Sequence, residues 1–186
     1  VGDAVKRGQP LFEDKKNPGV IFAAPAAGTV VAVNRGEKRA FQSVVVELSA
    51  AELKGEPDQV AFTSYTGNEP AGLGRDQVAA LLLESGLWTS LRTRPFSKIP
   101  APGATPHAIF VTATDTNPHA PNPELIIRGH ERDFERGLVC VAKLPEGRTY
   151  LCKARGAAIP AWYAAALRPS APRTTASSSA PLRVGA

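Results

Sequence analysis

The first 49 residues constrain the fold more than any other part of this chain. Gly2-Asp3, Gly8-Gln9-Pro10, Asn17-Pro18-Gly19 and Asn34-Arg35-Gly36 cut the stretch into pieces too short for a helix. Between these turns lie β-rich runs, Val20 to Ala23, Thr29 to Val33 and Ser43 to Leu48, and no helical apolar period survives across them. Short strands between Gly and Pro turns each bury one side and need a facing layer, so they imply a small sandwich or barrel. Residues 1–49 are therefore expected to be an all-β domain.

From residue 50 to residue 159 the texture changes. Gln77 to Ser85 sets Val78, Leu81, Leu82 and Ser85 at i, i+3, i+4 and i+7, one face of a helix. Asp76 lies in its first turn and Gly86 stops it. Ala108 to Ala113 is nearly all apolar, the pattern of a strand buried on both faces. Pro123 suits a first helical turn, and the stripe Ile127, Phe134, Leu138 carries an expected helix to about Leu138, with Gly137 loosening its end. On that helix His130 borders the apolar stripe and is expected to be partly buried. Arg148 to Ala154 reads as a second strand. Strand, crossover helix and strand at this spacing make one βαβ unit, so the strands should be parallel and the region an incomplete Rossmann-like α/β domain. The whole chain thus reads as a mixed α+β protein.

The first of these strands leads into Asp115-Thr116-Asn117-Pro118. The C-terminal edge of an open α/β sheet is where ligands usually bind, which makes Asp115 and Asn117 candidate binding residues. Residues 95–123 hold seven of the 17 prolines and read as an extended connector. Residues 160–186 carry eight alanines, four prolines, four serines and three arginines. After Trp162, Tyr163 and Leu167 little is left there to bury, so this tail is expected to be disordered or aberrant.

The charge names no partner. Of the net +5, Arg168, Arg173 and Arg183 in the acid-free tail supply +3. The rest is scattered among mixed signs, without the clustered Lys, Arg and aromatic residues that nucleic-acid binding needs, so no nucleic-acid partner is expected. No run approaches the roughly 18 to 20 apolar residues of a membrane span. Two cysteines without a Cys-x-x-Cys exclude a zinc module or a cysteine-ligated cluster. Both are expected to pack as small apolar groups. His107, His119 and His130 lack ligand spacing. There is no Gly-x-Ser-x-Gly elbow, no Walker lysine and no dinucleotide fingerprint, since Gly72-Leu73-Gly74 lacks a third glycine. No catalytic or metal-binding residue is expected in the chain acting alone. With no methionine anywhere and an opening on Val1-Gly2-Asp3, the sequence reads as an internal fragment.

One local pattern is more specific. Gly2-Asp3-x-Val5-x-x-Gly8-Gln9-x-Leu11, followed by Ala24-Pro25-Ala26-Ala27-Gly28-Thr29-Val30, resembles the barrel-sandwich hybrid of biotinyl and lipoyl domains. Such carriers present a modified lysine on a hairpin between these motifs, and Lys15 stands near that place. The following Lys16-Asn17-Pro18-Gly19 departs from a carrier hairpin, so the fold is expected without the carrier function.

Longer stretches narrow the resemblance. Gly8 to Val20, Ala24 to Arg39, Ser85-Gly86-Leu87-Trp88-Thr89-Ser90-Leu91-Arg92-Thr93-Arg94-Pro95-Phe96-Ser97-Lys98-Ile99-Pro100, and Ile109-Phe110-Val111-Thr112-Ala113-Thr114-Asp115-Thr116-Asn117-Pro118 are similar to the NqrA subunits of the sodium-translocating NADH:quinone reductases (Na+-NQR). The resemblance covers residues 1 to about 157. It implies a subunit, inactive by itself, of a pump that passes electrons from NADH to ubiquinone and exports sodium. It also implies a peripheral place on the cytoplasmic face of the bacterial inner membrane, against the membrane subunits, with quinone a possible contact. NADH, flavins and iron centres would be handled by other subunits, and this chain would bind no cofactor. Within the resemblance Arg92 and Arg94 join Asp115 and Asn117 as candidate ligand contacts, although both arginines suit an equally simple task, holding their own loop through carbonyl oxygens. The Ala, Pro, Ser and Arg tail departs from the family pattern and is expected to be an out-of-frame or misassembled end. Two other readings stand beside this one: a lipoyl- or biotin-bearing carrier, and a stand-alone interaction module. Rnf-type complexes have a subunit with a similar hybrid domain, but its cysteine clusters are absent here.

Overall fold

The corner Ala24-Pro25-Ala26-Ala27-Gly28 organises the N-terminal half. In the computed structural model, which describes residues 1–160 and Ser179–Leu182, strand β4 (Gly28–Arg35) starts at this corner. It runs between β1 (Ala4–Val5) and β5 (Phe41–Leu48), antiparallel to both. At the entry point Gly28 faces Val5 on one side and Leu48 on the other. A Cβ there would stand 1.9 Å from the backbone oxygen of Glu47, so only glycine lets the strands close at this position. A second sheet pairs β2 (Pro10–Glu13) with β3 (Ile21–Ala23), and Phe12 and Phe22 stack across it at 4.6 Å. Backbone bonds Gly8 N–H to Ala24 O and Ala24 N–H to Gln9 O, both 2.8 Å, complete the turn. Val5, Ala24 and Val30 form its core, with Leu11, Val44 and Val46 packed against them. The three strands read from the sequence are present, and among the described residues the sheets do not close into a barrel.

Helix α1 (Ala50–Leu53), capped by the Ser49 hydroxyl, carries one nearly buried charge. The Glu52 side chain, 6% exposed, pairs with the Arg7 guanidinium and accepts the Ala27 N–H at 3.2 Å. The Arg7 hydrogen bond holds the Glu52 carboxyl below its usual range. Arg7 and Ala27, the residues just before the motif glycines Gly8 and Gly28, are thereby joined through a residue beyond the 1–49 boundary.

Packing groups residues 1–66 with 79–104, and residues 67–78 with those from 105 onward. In the first group, the end of α2 (Arg75–Glu84) is tied down by Glu84, which accepts from Thr63 N–H, the Thr63 hydroxyl and Ser64 N–H, each at 2.8 Å. Gly86 ends this helix in the left-handed region at φ +76, as its position suggests. A 3-10 turn over Leu87–Ser90 follows. It buries Trp88 to 2% exposure, with the indole N–H donating to Pro100 O at 2.9 Å. Part of the proline-rich connector is therefore anchored rather than free.

In the second group, β6 (Ile109–Ala113) and β7 (Thr149–Lys153) pair in parallel, Val111 opposite Leu151, as the βαβ reading requires. The crossover differs from expectation. Instead of one helix from Pro123 to Leu138 there are two, α3 (Pro123–Ile127) and α4 (Glu131–Ala142). The break falls at Gly129, which takes φ +84 with its Glu131-bonded N–H; Gly137 is simply interior to α4. Asn122 caps α3 by accepting Glu124 N–H at 3.0 Å. Ala113, Leu138, Leu151 and Ile159 form the core, flanked by Val111, Ile127 and Phe134. The other face of the sheet presents Phe110, 63% exposed and stacked on Tyr150 at 4.9 Å.

The tail read as disordered or aberrant lies largely outside the described residues. Its residues Ser179–Leu182 are an exception and form β8, antiparallel to β7. No helix of the described residues is long and apolar enough to cross a membrane.

Candidate functional site

A cavity of about 630 Å³ opens at the C-terminal end of β6, the edge singled out from the sequence. Its floor is the strand end, Thr112 to Thr114, and its rim is Asp115 and Asn117. Pro121, Pro123, Ile126 and Ile127 supply one wall and Phe134 the other. The break at Gly129 shapes this wall, because α3 and α4 each turn an apolar side chain toward the same space. Glu124 fixes α3 in place by accepting the Ala158 N–H at 2.8 Å. Lys153 donates to the carbonyls of Ala157 and Ile159 at 3.1 and 2.7 Å.

The rim has a defined polarity. Asp115 Oδ1 accepts both the backbone N–H of Asn117, at 2.9 Å, and its side-chain Nδ2–H, at 2.7 Å. The loop is thereby wound into an Asx turn, and among the described residues Asp115 Oδ2 has no hydrogen-bond or ion-pair partner. No Lys, Arg or His is in the lining. A dinucleotide needs a glycine-rich turn at a helix N-terminus and cationic or N–H donors for its pyrophosphate. This lining does not fit one.

Arg92 and Arg94 do not join Asp115 and Asn117 in this lining. Both belong to the group of residues 79–104. The Arg92 guanidinium donates to the carbonyls of Thr89 and Leu91, the loop-holding task that competed with ligand contact from the outset. Arg94 is exposed, ahead of a cis peptide bond to Pro95. The loop then folds back through Thr93 N–H to Lys98 O and Ser97 N–H to Thr93 O, both 2.8 Å, leaving Phe96 77% exposed at its tip.

His130 departs from expectation. It occupies the N-cap position of α4 and its side chain is 74% exposed, with Nδ1 3.7 Å from the Asp133 carboxylate. The helix break rotates it off the apolar stripe. Cys140 and Cys152 are half-buried free thiols, and burial pushes the Cys140 thiol up. Lys15 is exposed in the turn between β2 and β3. That turn is held by Asp14, which accepts Lys16 N–H at 2.9 Å and the Asn17 side-chain amide at 2.7 Å.

The rim is legible in the sequence; Ile126, Pro121 and the break at Gly129, which shape the wall, are less so. The signal was present in Gly129 followed by Glu131 and Asp133, a stop and a first turn in succession.

Comparison with known proteins bears on the same two regions. Residues 1–49 match the model of the NqrA N-terminal barrel-sandwich hybrid domain, and residues 73–169 that of the NqrA second alpha/beta domain. The second match runs past residue 157 and into the stretch read as tail. The NqrA subunit of the Na(+)-translocating NADH-quinone reductase of Shewanella amazonensis is 56% identical over 161 residues, covering 87% of this chain and 35% of that protein. The corresponding subunits from Histophilus somni and Neisseria meningitidis are 54% and 52% identical, over 86% and 88% of this chain and 34% and 35% of their own lengths. The chain thus spans about a third of the length of these relatives.

Proposed function

Because this chain belongs to the NqrA family of Na(+)-translocating NADH-quinone reductase subunits, we propose that it serves as a peripheral part of such an enzyme. In this reading it supports electron transfer from NADH to quinone coupled to sodium export and has no activity by itself. It sits against the membrane subunits on the cytoplasmic face. The flavins and iron centres of the reaction belong to other subunits. The observation that carries the reading is the pair of family matches, in order along the chain, with more than half of the residues identical to the relatives over most of its length.

Within that role, the groove at the end of β6 is the ligand-facing feature of this chain, and Asp115 and Asn117 are its polar contacts. Arg92 works as a loop-holding residue. The test is co-expression of the full-length parent protein, tagged, with the membrane subunits. The expected result is their co-purification, together with loss of NADH-driven quinone reduction when the parent protein is deleted. A parent protein that purifies by itself from a complex fully active without it overturns the reading.

A further inference from the structure

Strand β5 has one side paired to β4 and, among the described residues, no strand and no backbone hydrogen bond on the other. Such a row of unpaired N–H and C=O groups is a template for a further strand, and proteins usually blunt it with Lys, Pro or shortness. The opposite edge of the same sheet is blunted by shortness, since β1 has two residues. β5 has eight, and its stretch Ser43-Val44-Val45-Val46-Glu47-Leu48 contains no Lys, Arg, Pro or Gly. Three successive β-branched residues favour the extended form there. The irregularity in its pairing falls on β4, at Val31, so side chains 43 to 48 alternate regularly between the two faces. Val44 and Val46 pack on the core, whereas Val45 is 41% exposed.

Two side chains on the Val45 face each hold half of a hydrogen bond. Ser43 Oγ accepts the Asn34 Nδ2–H at 3.0 Å, which leaves its own O–H to donate. The Glu47 carboxylate, an acceptor, has no hydrogen-bond or ion-pair partner among the described residues. A two-fold axis through Val45, perpendicular to the sheet, brings a second β5 alongside in antiparallel order. It sets Ser43 opposite Glu47 of the second copy, and the reverse, so both halves are completed. Val44 then faces Val46, which carries the core row of valines across the junction, and Val45 faces itself. No like charges meet. Centred instead on Val44, the same pairing would set the Glu47 carboxylate against Phe41 and leave Ser43 on Val45. We infer that β5 is a self-association edge: a second copy of this chain adds to it antiparallel, centred on Val45, and joins the two three-stranded sheets into one. Each copy spends its open edge in the contact, so the assembly closes at two.

The experiment is sedimentation equilibrium of the 186-residue chain across about 1 to 100 μM, the range in which a small interface associates reversibly. The expected result is a monomer–dimer equilibrium with no larger species. Val45→Lys and Val45→Glu each set like charges opposite one another at the axis and should be monomeric throughout. Mixing the two variants should restore a dimer, because Lys then faces Glu. Val45→Thr keeps the β-branched shape without charge and should dimerise, and far-ultraviolet circular dichroism checks that all three variants are folded. Ser43→Ala removes both symmetric hydrogen bonds and should weaken the dimer by about three- to tenfold. A monomer at every concentration, association beyond the dimer, an undiminished dimer in Val45→Lys, or a Lys and Glu mixture that stays monomeric overturns the inference. Each of these outcomes leaves the co-purification test untouched, so the failure of the edge and the failure of the family role are separately visible.

Discussion

Gly28→Ala is the substitution that most directly tests why the N-terminal corner has its sequence. An ideal Cβ at this position stands 1.9 Å from Glu47 O and 2.9 Å from the Glu47 carbonyl carbon, where real Cβ atoms essentially never approach within 3.0 Å. Both contacts are backbone, in the strand paired with β4, so no side-chain rotation relieves them. The strands have to part by about an ångström, enough to take a neighbouring backbone hydrogen bond out of range. Gly28 sits between Val5 and Leu48, so the ladder is disturbed on both sides. Two or three net hydrogen bonds at about 0.5 to 1.5 kcal/mol each, with some loss of packing at Val30, predict a destabilisation of about 2 to 4 kcal/mol.

Gly36→Ala is the matched control on the same hairpin. Its φ is −93, and its Cβ would meet the Gln42 side-chain nitrogen at 2.6 Å. That is the end of an exposed, flexible side chain that can swing away, so the cost should stay under about 1 kcal/mol. Urea denaturation followed by tryptophan fluorescence and by far-ultraviolet circular dichroism measures both variants. With a slope of about 1 to 3 kcal/mol/M for a small protein, Gly28→Ala should lower the midpoint by about 1 M or more. A Gly28→Ala protein within about 0.5 kcal/mol of the parent, or no more affected than Gly36→Ala, refutes the steric account.

Three further outcomes follow from particular residues. Hydrogen bonds from the side chain and backbone of Ser64 and from Thr63 hold the Glu84 carboxyl at about 2, against 4.5 for a free glutamate. Its contribution to stability is therefore complete above about pH 4.5 and is lost as the pH falls toward about 2. Urea midpoints measured across that window should fall less steeply for Glu84→Gln than for the parent, and an unchanged slope removes the argument. Gly129→Ala places a side chain at φ +84 in open space and should cost about 1 kcal/mol from backbone conformation alone. Gly137→Ala, inside α4 with nothing near its added carbon, should instead stabilise by about 0.5 to 1 kcal/mol; thermal melts of the pair showing the same sign contradict this assignment. Co-expression with lipoate and biotin ligases should leave the intact mass of the chain unchanged, whereas a lipoyl or biotinyl increment that disappears in Lys15→Arg would establish the carrier reading.

The sequence was most legible where one residue type satisfies one local rule. The strands of the hybrid, the stop at Gly86, the proline opening α3, and the parallel pairing of β6 with β7 all follow from turn chemistry, periodicity or connection length. Less visible were consequences that depend on residues distant in the chain. Glu52 looks like an ordinary surface glutamate of a short helix, yet its 6% exposure comes from Arg7 and Ala27, which only the fold brings to it. Trp88 belonged to a stretch identified by resemblance, and its physical task, anchoring the connector through Pro100 O, could not be read from spacing. His130 departs from its expected place for a local reason: the apolar stripe runs on past Gly129 in the sequence, although a glycine free to take positive φ ends a helix more readily than it extends one. The edge at Asp115 and Asn117 was legible because the end of a parallel strand is determined by topology before any side chain is considered.

The break at Gly129 also explains why the groove has the form it does. Along an unbroken helix from Pro123 to Leu138, Ile127 and Phe134 lie seven residues apart on a single face, and with the break both still pack against the cluster of Ala113, Leu138 and Leu151. With the chain turned at Gly129, α4 commits Leu138 and Val139 to the interior, each 4% exposed. The short α3 is held separately by its Asn122 cap and by Glu124 on Ala158. Its two isoleucines then divide their roles: Ile127 packs at the border of the core, and Ile126 remains 59% exposed over the end of β6. An exposed isoleucine that shares one groove lining with the Asp115 carboxylate adds nothing to the core. The break leaves Ile127 and Phe134 on the core while both also line the groove, so what it adds is the groove.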